Sequence, residues 1–390
     1  MKRILGVVAE YNPLHGGHYY QMHRAIQETQ SRYVVIAMSG NFVQRGEPAI
    51  FDKWTRAQMA LAAGADLVVE IPTYFVLQSA QGYAQASMDL LAKCGVTHIS
   101  FGSEAGKIAD LMAMARWLNQ EQTQTSIRQA LRSGISYAAA IQKVAEQAPQ
   151  VAPLASLFHG ANNILAIEYL RALPQDSAIT VHTVQRVGQP RGKENGQYPS
   201  ASVLRQLLNN GNDISPYIPH PCRPVFDMAV KRAGPIYARD LSQAVFYALT
   251  TMTPQEIYRL PACSEGLENR IRQALNQQRD LGQFQQAVKS KRYPLTRVQR
   301  LCMQALLRFD EIETTEPVPY ARVLACSARG KELLPQLAQQ TALIYSARDV
   351  KELSPTPKSM LELDLRAADI YNLALPPHWA RRDIVQQPAQ

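Results

Sequence analysis

Ala9-Glu10-Tyr11-Asn12-Pro13-Leu14-His15-Gly16-Gly17-His18 lies between an apolar run, Ile4 to Ala9, and a stretch with apolar residues at helical spacing, Gly17 to Thr29. That order, strand then turn then helix, sits at the carboxyl end of a first strand, which is where an open α/β sheet binds its ligands. Two imidazoles three residues apart occupy neighbouring positions of a helical turn. Gly16 and Gly17 let the backbone pass close to a bulky group, and a helix N-terminus offers free N–H groups and a positive dipole end. Together these features suit an anion, most naturally a nucleotide phosphate. Taken without its setting, His-x-x-His also fits a surface pair or a fortuitous metal site.

The pattern repeats outward. Tyr33 to Met38 and Leu67 to Ile71 read as a second and third strand, Ile99 to Phe101 as a short fourth and Ile179 to Val184 as a fifth. Helical spacing fills Trp54 to Ala63 and Tyr74 to Cys94 between them. Uninterrupted apolar runs such as Tyr33 to Met38 suit strands covered on both faces. The fold class is therefore α/β, a Rossmann-like doubly wound parallel sheet. After about residue 206 the texture changes. Ser215-Pro216-Tyr217-Ile218-Pro219-His220-Pro221 reads as a linker, and helical periods follow at Leu241 to Thr250, Glu265 to Arg279, Thr296 to Arg308 and Leu333 to Ala342. Two domains are expected, 1–210 around the sheet and 211–390 mainly helical, with a frayed tail from Pro376 onward.

Composition narrows the class. Of 390 residues, 46% are apolar and 19% charged, too apolar for a disordered chain. No apolar run approaches the roughly 18 residues of a membrane helix, and the run after Met1-Lys2-Arg3 ends at Glu10, too short for a signal peptide. A cytoplasmic protein is expected. Forty-one Lys and Arg against thirty-two Asp and Glu leave +9, which fits a polyanionic partner but is also ordinary mild basicity. The five cysteines are widely spaced with no C-x-x-C pair, so they read as buried thiols, with no zinc site or disulfide framework.

His15-Gly16-Gly17-His18 matches the H-x-G-H signature of the nucleotidyltransferase superfamily. Further segments occur in order: Met38 to Pro48, Asp66 to Pro72, Phe101-Gly102-Ser103-Glu104, Ala161 to Leu170, Ser264 to Arg270 and Thr296 to Arg300. This succession, spanning nearly the whole chain, resembles the bacterial tRNA(Met) cytidine acetate ligase family. The resemblance implies a nucleotidyltransferase-type sheet, and a ligase that uses ATP and acetate to form N4-acetylcytidine at the wobble position of elongator tRNA(Met). It implies an acetyl-adenylate intermediate, with release of pyrophosphate and AMP, and magnesium on the ATP.

Carried over by position, the resemblance implies that Val7, Val8, Ala9, Glu10, Tyr11, Asn12, Pro13, Leu14, His15, Gly16, Gly17, His18, Tyr19 and Tyr20 wrap the ATP, with His15 and His18 catalytic on its phosphates. Gly102, Asn162 and Arg186 would line the nucleotide pocket, and Ser200, Ser202 and Arg205 would clamp outer phosphates. Two residues depart from the common pattern: Leu14 stands where relatives often have Phe, and Gly16 where they often have Asn. Residues 188–198 form a longer basic loop than expected. Several companions also have plain readings: Asn162-Asn163 as an N-cap pair, Asp52, Lys53 and Arg56 as a solvated helix start, Ser39-Gly40-Asn41 as a turn, and Gly102 as a demand of backbone geometry.

For the second step Asp52, Lys53 and Arg45 are the candidates to assist attack by the cytidine amine. Lys289, Lys291, Arg292, Arg297 and Arg300 form the densest basic cluster, with Arg322, Arg329 and Lys331 as a second group. Both are expected to line a tRNA-binding groove, the alternative being a solvated helix face. Two rival functions remain: a nucleotidyltransferase attaching AMP or CMP to a small phosphorylated acceptor, and an RNA-binding factor with a decayed nucleotide site.

Overall fold

A computed structural model describes residues 2–376 apart from 175–176, 187–197, 265, 313–316, 347–348 and 350–352. Most of the 188–198 loop and the tail from residue 377 lie outside the described residues.

Seven strands form one sheet in the order β7-β6-β1-β2-β5-β8-β9, where β1 is Ile4–Ala9, β2 Tyr33–Ser39, β5 Leu67–Ile71, β6 His98–Ser103, β7 Thr180–Gln185, β8 Tyr320–Cys326 and β9 Ala342–Ile344. A two-stranded ribbon, β3 (Phe42–Val43) with β4 (Glu47–Pro48), follows β2. Within the seven-stranded sheet the pairings are parallel except β5 with β8, which is antiparallel, as is the β3–β4 ribbon.

The period of two explains the layering. Along β2, Tyr33, Val35 and Ala37 enter the core on one face while Val34, Ile36 and Met38 enter the core on the other. Helices Ala80–Lys93, Ile108–Leu118 and Ala161–Ala172 cover the first face. Helices α1 (Gly16–Thr29) and α2 (Lys53–Ala62), with Ala201–Asn209, cover the second. All seven β2 residues are buried for that reason. The doubly wound α/β sheet expected from the strand pattern is present.

Three details differ from expectation. The Tyr74 to Cys94 helix is two helices, Thr73–Val76 and Ala80–Lys93, because Ser79 caps the second by accepting from the Gly82 N–H. The proline-rich stretch is not a loose linker: it makes two short 3₁₀ turns, Ser215–Tyr217 and His220–Cys222, with Ile218 and Cys222 buried. Residues 211–390, expected to be mainly helical, also supply β8 and β9 to the sheet. Ahead of β8 a helical core forms around Leu301, Phe284 and Ile271. All five cysteines are free and buried, as read from their spacing.

Gln304 and Gly46 are among the points where this helical part meets the sheet side. Gln304 on helix Leu295–Leu306 accepts from the Ala262 N–H at 2.8 Å and donates to the Leu77 carbonyl at 2.8 Å. Gly46, at the tip of the β3–β4 ribbon with φ +81°, lies so close that a Cβ there would stand 2.2 Å from the Arg300 backbone nitrogen.

Candidate functional site

α1 opens with an unusual cap. The Gly17 N–H donates to His15 Nδ1 at 3.0 Å, and the His15 N–H donates to His18 Nδ1 at 3.4 Å, a reciprocal capping box made of two imidazoles. With each Nδ1 acting as acceptor, the proton of each neutral ring is on Nε2. The ring centroids are 3.9 Å apart. Burial and the Arg186 charge push His15 down to about 3, and burial, His15 and Arg186 hold His18 well below its ordinary value. Both rings are thus neutral near pH 7, each with an Nε2–H available to donate. Gly17 is needed for this fold of the ring, since a Cβ would lie 2.9 Å from His15 Cε1.

The rings face a cavity of about 930 Å³ at the carboxyl ends of β1, β6 and β7. Its wall includes Val7, Val8, Ala9, Glu10, Tyr11, His15, Gly17, His18, Tyr20, Gly102, Asn162, Arg186 and Ser200. Asn12, Pro13, Leu14, Gly16, Tyr19, Ser202 and Arg205 fall outside that lining. Several of these brace the turn: Asn12 Oδ1 accepts from the Ile50 N–H at 2.8 Å, and the Asn12 carbonyl accepts from Arg205 Nη1 at 2.8 Å. Ser200 caps helix Ala201–Asn209, with Ser202 Oγ 2.9 Å from its hydroxyl. A Cβ on Gly102 would meet Arg186 Cγ at an ordinary 3.5 Å, so packing leaves room for a side chain there.

Asn162 and Asn163 are not the cap of their helix. Glu104, whose role the sequence reading missed, takes it: its carboxylate accepts from the Asn162 N–H at 3.2 Å and the Asn163 N–H at 2.8 Å. Asn162 Nδ2 adds a bond to Glu104 at 2.6 Å, and Arg186 Nη1 donates to Asn162 Oδ1 at 3.2 Å. A carboxylate on the free N–H groups of a helix start is a strong cap, but Glu104 stands sixty residues away in sequence, beyond any local signal.

The α2 start is not a solvated one. Asp52 caps it, accepting from the Trp54 and Thr55 N–H groups and from the Thr55 hydroxyl. Lys53 is 1% exposed and pairs with both oxygens of Glu70 at 2.9 and 3.0 Å. Arg56 is fully buried and donates to the carbonyls of Glu10, Ser39, Gly40 and Phe51. One guanidinium therefore ties the β1 turn to the β2 loop. Asp52 and Lys53 are committed to these contacts; of the three candidates for the second step, Arg45 lines the cavity.

The basic residues divide. Arg292, Arg297 and Arg300 line the same cavity as the histidines, while Lys289 and Lys291 are exposed outside it. Arg297 Nε donates to the Ala262 carbonyl at 2.8 Å, and Arg300 Nη1 to the Gln44 carbonyl at 3.4 Å. Burial, with Arg297 beside it, pushes Arg300 down to about 10. The second group lines no groove. Arg322 is 1% exposed in β8 with Nη1 3.5 Å from Glu70, and Arg329 pairs with Asp66 at the opposite end of the sheet. Arg322 is level with Ala9, Met38 and Glu70 at the carboxyl edge, but it is buried three strands away from β1 and outside the cavity lining; the Arg329 pair stands at the amino end of β5.

Among the described residues no group of three or more His, Cys, Asp or Glu side chains could hold a metal ion. The two carboxylates in the lining, Glu10 and Glu168, do not make a cage, and Glu168 is already bonded through both oxygens to Arg171. Magnesium does not fit a protein-built site here, and no step is routed through it. Among the described residues no helix is long and apolar enough to cross a membrane.

Residues 1–386 match the family model of the HIGH nucleotidyl transferases. A tRNA(Met) cytidine acetate ligase of Alkaliphilus metalliredigens is 36% identical, covering 96% of this chain and 94% of its own. One from Syntrophomonas wolfei is 35% identical, with 97% and 96% covered. The chain belongs to the tRNA(Met) cytidine acetate ligase family. Solved structures of Thermotoga maritima TmcAL agree: the apo form superposes with a TM-score of 0.90 at 26% identity over 98% of this chain and 97% of that one. The form bound with alpha-thio ATP gives 0.90 at 27% identity over 99% of each chain. As a member of this ligase family, the chain carries the family's H-x-G-H histidines on the cavity edge.

Proposed function

We propose that the protein uses ATP and acetate to acetylate N4 of the wobble cytidine of elongator tRNA(Met), through acetyl-adenylate bound in the cavity beside His15 and His18. The observation that carries this reading is the pair of neutral imidazoles, each with its Nδ1 occupied by a backbone N–H and its Nε2–H left to donate. The thio-ATP complex of the Thermotoga protein supports nucleotide binding in this fold. A reaction that consumes ATP and tRNA belongs in the cytoplasm.

In the first step an acetate oxygen attacks the α-phosphorus and pyrophosphate departs. Acetate is already ionised, so the step needs positioning and charge stabilisation and no base. His15 and His18 donate to the phosphate oxygens, and their bonds strengthen as charge builds in a partly desolvated site. The residues Val7 to Tyr11 and Gly102, Asn162 and Arg186 hold the nucleoside; Ser200 stands at the outer phosphates. Magnesium would have to be brought by the nucleotide, since the described residues offer no carboxylate cage, and would supply charge neutralisation. In the second step the cytidine amine attacks the acyl carbon and AMP leaves. Arg45, Arg292, Arg297 and Arg300, on the wall of the same cavity, take the phosphates of the anticodon loop.

Incubation with labelled acetate, ATP and bacterial tRNA tests this. Label in tRNA with stoichiometric AMP is expected. A nucleotide retained on a small acceptor would favour the plain nucleotidyltransferase, and no product at all would favour a binding factor.

A further inference from the structure

The second half-reaction, on the reading proposed above, has no proton acceptor assigned. A cytidine amine is a poor nucleophile, and the tetrahedral species it forms must lose an N–H proton to go forward. The His15 and His18 rings hold backbone N–H groups on Nδ1 and carry protons on Nε2, so neither has a vacant lone pair. Tyr83 and Tyr169 are pushed above their ordinary value by burial, and stay phenols. Both oxygens of Glu168 are held by Arg171 Nη1 at 2.9 Å. Asp52 and Lys53 are committed to a helix cap and a buried ion pair.

Glu10 differs from all of these. It follows the last residue of β1, lines the cavity, and accepts one hydrogen bond, from the Gln44 N–H to Oε1 at 2.9 Å; among the described residues Oε2 has no hydrogen-bond partner. Its position is also the right one. Gln44 is the hinge between the two sides of the cavity, since its N–H is on Glu10 and its carbonyl is on Arg300. Tyr11, the next residue, packs edge-on to His18 at 5.3 Å. Glu10 therefore stands between the phosphate-holding histidines and the basic wall.

We infer that Glu10 is the general base of acetyl transfer, its Oε2 taking the proton released by the cytidine amine. The amine nitrogen bonds to the acyl carbon while the carbonyl π pair moves to oxygen. The N–H proton passes to Glu10, the oxyanion collapses, and the bond from the acyl carbon to the adenylate oxygen breaks. AMP leaves with that electron pair, and Glu10 later gives its proton to water.

The test separates the half-reactions in the full-length enzyme. Glu10→Gln keeps an oxygen for the Gln44 N–H but cannot take a proton, so the fold is preserved. Acetate-dependent exchange of pyrophosphate into ATP reports the first step; single-turnover labelling of tRNA from supplied acetyl-adenylate reports the second. Transfer is expected to slow by about 100-fold or more, and at least tenfold more than exchange slows. Formate should restore part of the transfer in Glu10→Ala and leave the wild type unchanged. Equal slowing of the two steps, or no rescue by formate, would overturn the role of Glu10. Failure of the wild-type enzyme to label tRNA from acetyl-adenylate would instead overturn the proposed function on which the role rests.

Discussion

α1 and α2 start at the same edge of the sheet, after neighbouring strands, with polar residues in both first turns, and they put those residues to opposite use. At α1 the cap is made through Nδ1 of each histidine, so the other ring nitrogen still faces the cavity. At α2 every polar group is turned inward: Asp52 onto its own helix, Lys53 onto Glu70, and Arg56 onto four carbonyls. The first start is a working surface and the second is the frame that holds the loops around it. A charged residue next to a functional motif is thus no guide to function until its partners are known.

The largest effect should come from the working side. Replacing His15 or His18 by alanine should cut acetate-dependent pyrophosphate exchange by about 100- to 1,000-fold each, as loss of one donor to developing charge does. The denaturation midpoint should fall only by the loss of a cap, roughly 1 kcal/mol. On the frame side the balance inverts. Lys53→Met leaves Glu70 buried with Arg322 at 3.5 Å, and should cost about 3 kcal/mol in urea titration, the penalty for breaking a buried pair. The protein that remains folded should still turn over.

Gly46→Ala comes next, because the new methyl would press on the Arg300 backbone from a residue at φ +81°. A destabilisation of about 1–3 kcal/mol is expected from overpacking, read in the same titration. A pH effect is also expected, spread over several pH units. His15 falls in the folded state from the ordinary 6.5 to about 3, so the unfolded chain takes up the proton first as pH drops. Its stability contribution is complete above about 6.5 and is lost as pH falls toward 3, with a slope near 1.4 kcal/mol per pH unit. Urea midpoints of the wild type should therefore decline more steeply across that window than those of His15→Asn, which still caps. The smallest change should follow loss of one cation. Arg297→Gln or Arg300→Gln should lower the slope of log tRNA affinity against log salt by about 1 each; Lys289→Gln, outside the cavity, should change acetyl transfer less than either.

The βα turn is legible because its evidence is local: an apolar run, two glycines and two histidines within fifteen residues suffice to point to the edge of the cavity that the rings line. The strands β1, β2 and β5 were legible for the same reason, since continuous apolar runs show burial on both faces. What stayed hidden depends on distant partners. Tyr320–Cys326 was overlooked as a strand because it follows a helical stretch and pairs with β5 across most of the chain. Lys53 and Arg56 read as a solvated helix start and Arg322 as part of a tRNA-binding group because a single sequence does not reveal that Glu70 or a ring of carbonyls awaits them. Density alone picks out Arg297 and Arg300 as basic, without showing that they share a cavity with the histidines. The division at residue 210 follows a real change of texture, and β8 and β9 cross it.

That crossing bears on how the chain is made. Until β8 emerges from the ribosome, after all of residues 72–319, the β5 strand, Leu67-Val68-Val69-Glu70-Ile71, waits with one side of its backbone unclaimed. A naked apolar margin of that kind invites pairing with a stranger. Premature termination anywhere in the intervening stretch should therefore yield a sticky fragment and not a smaller working enzyme.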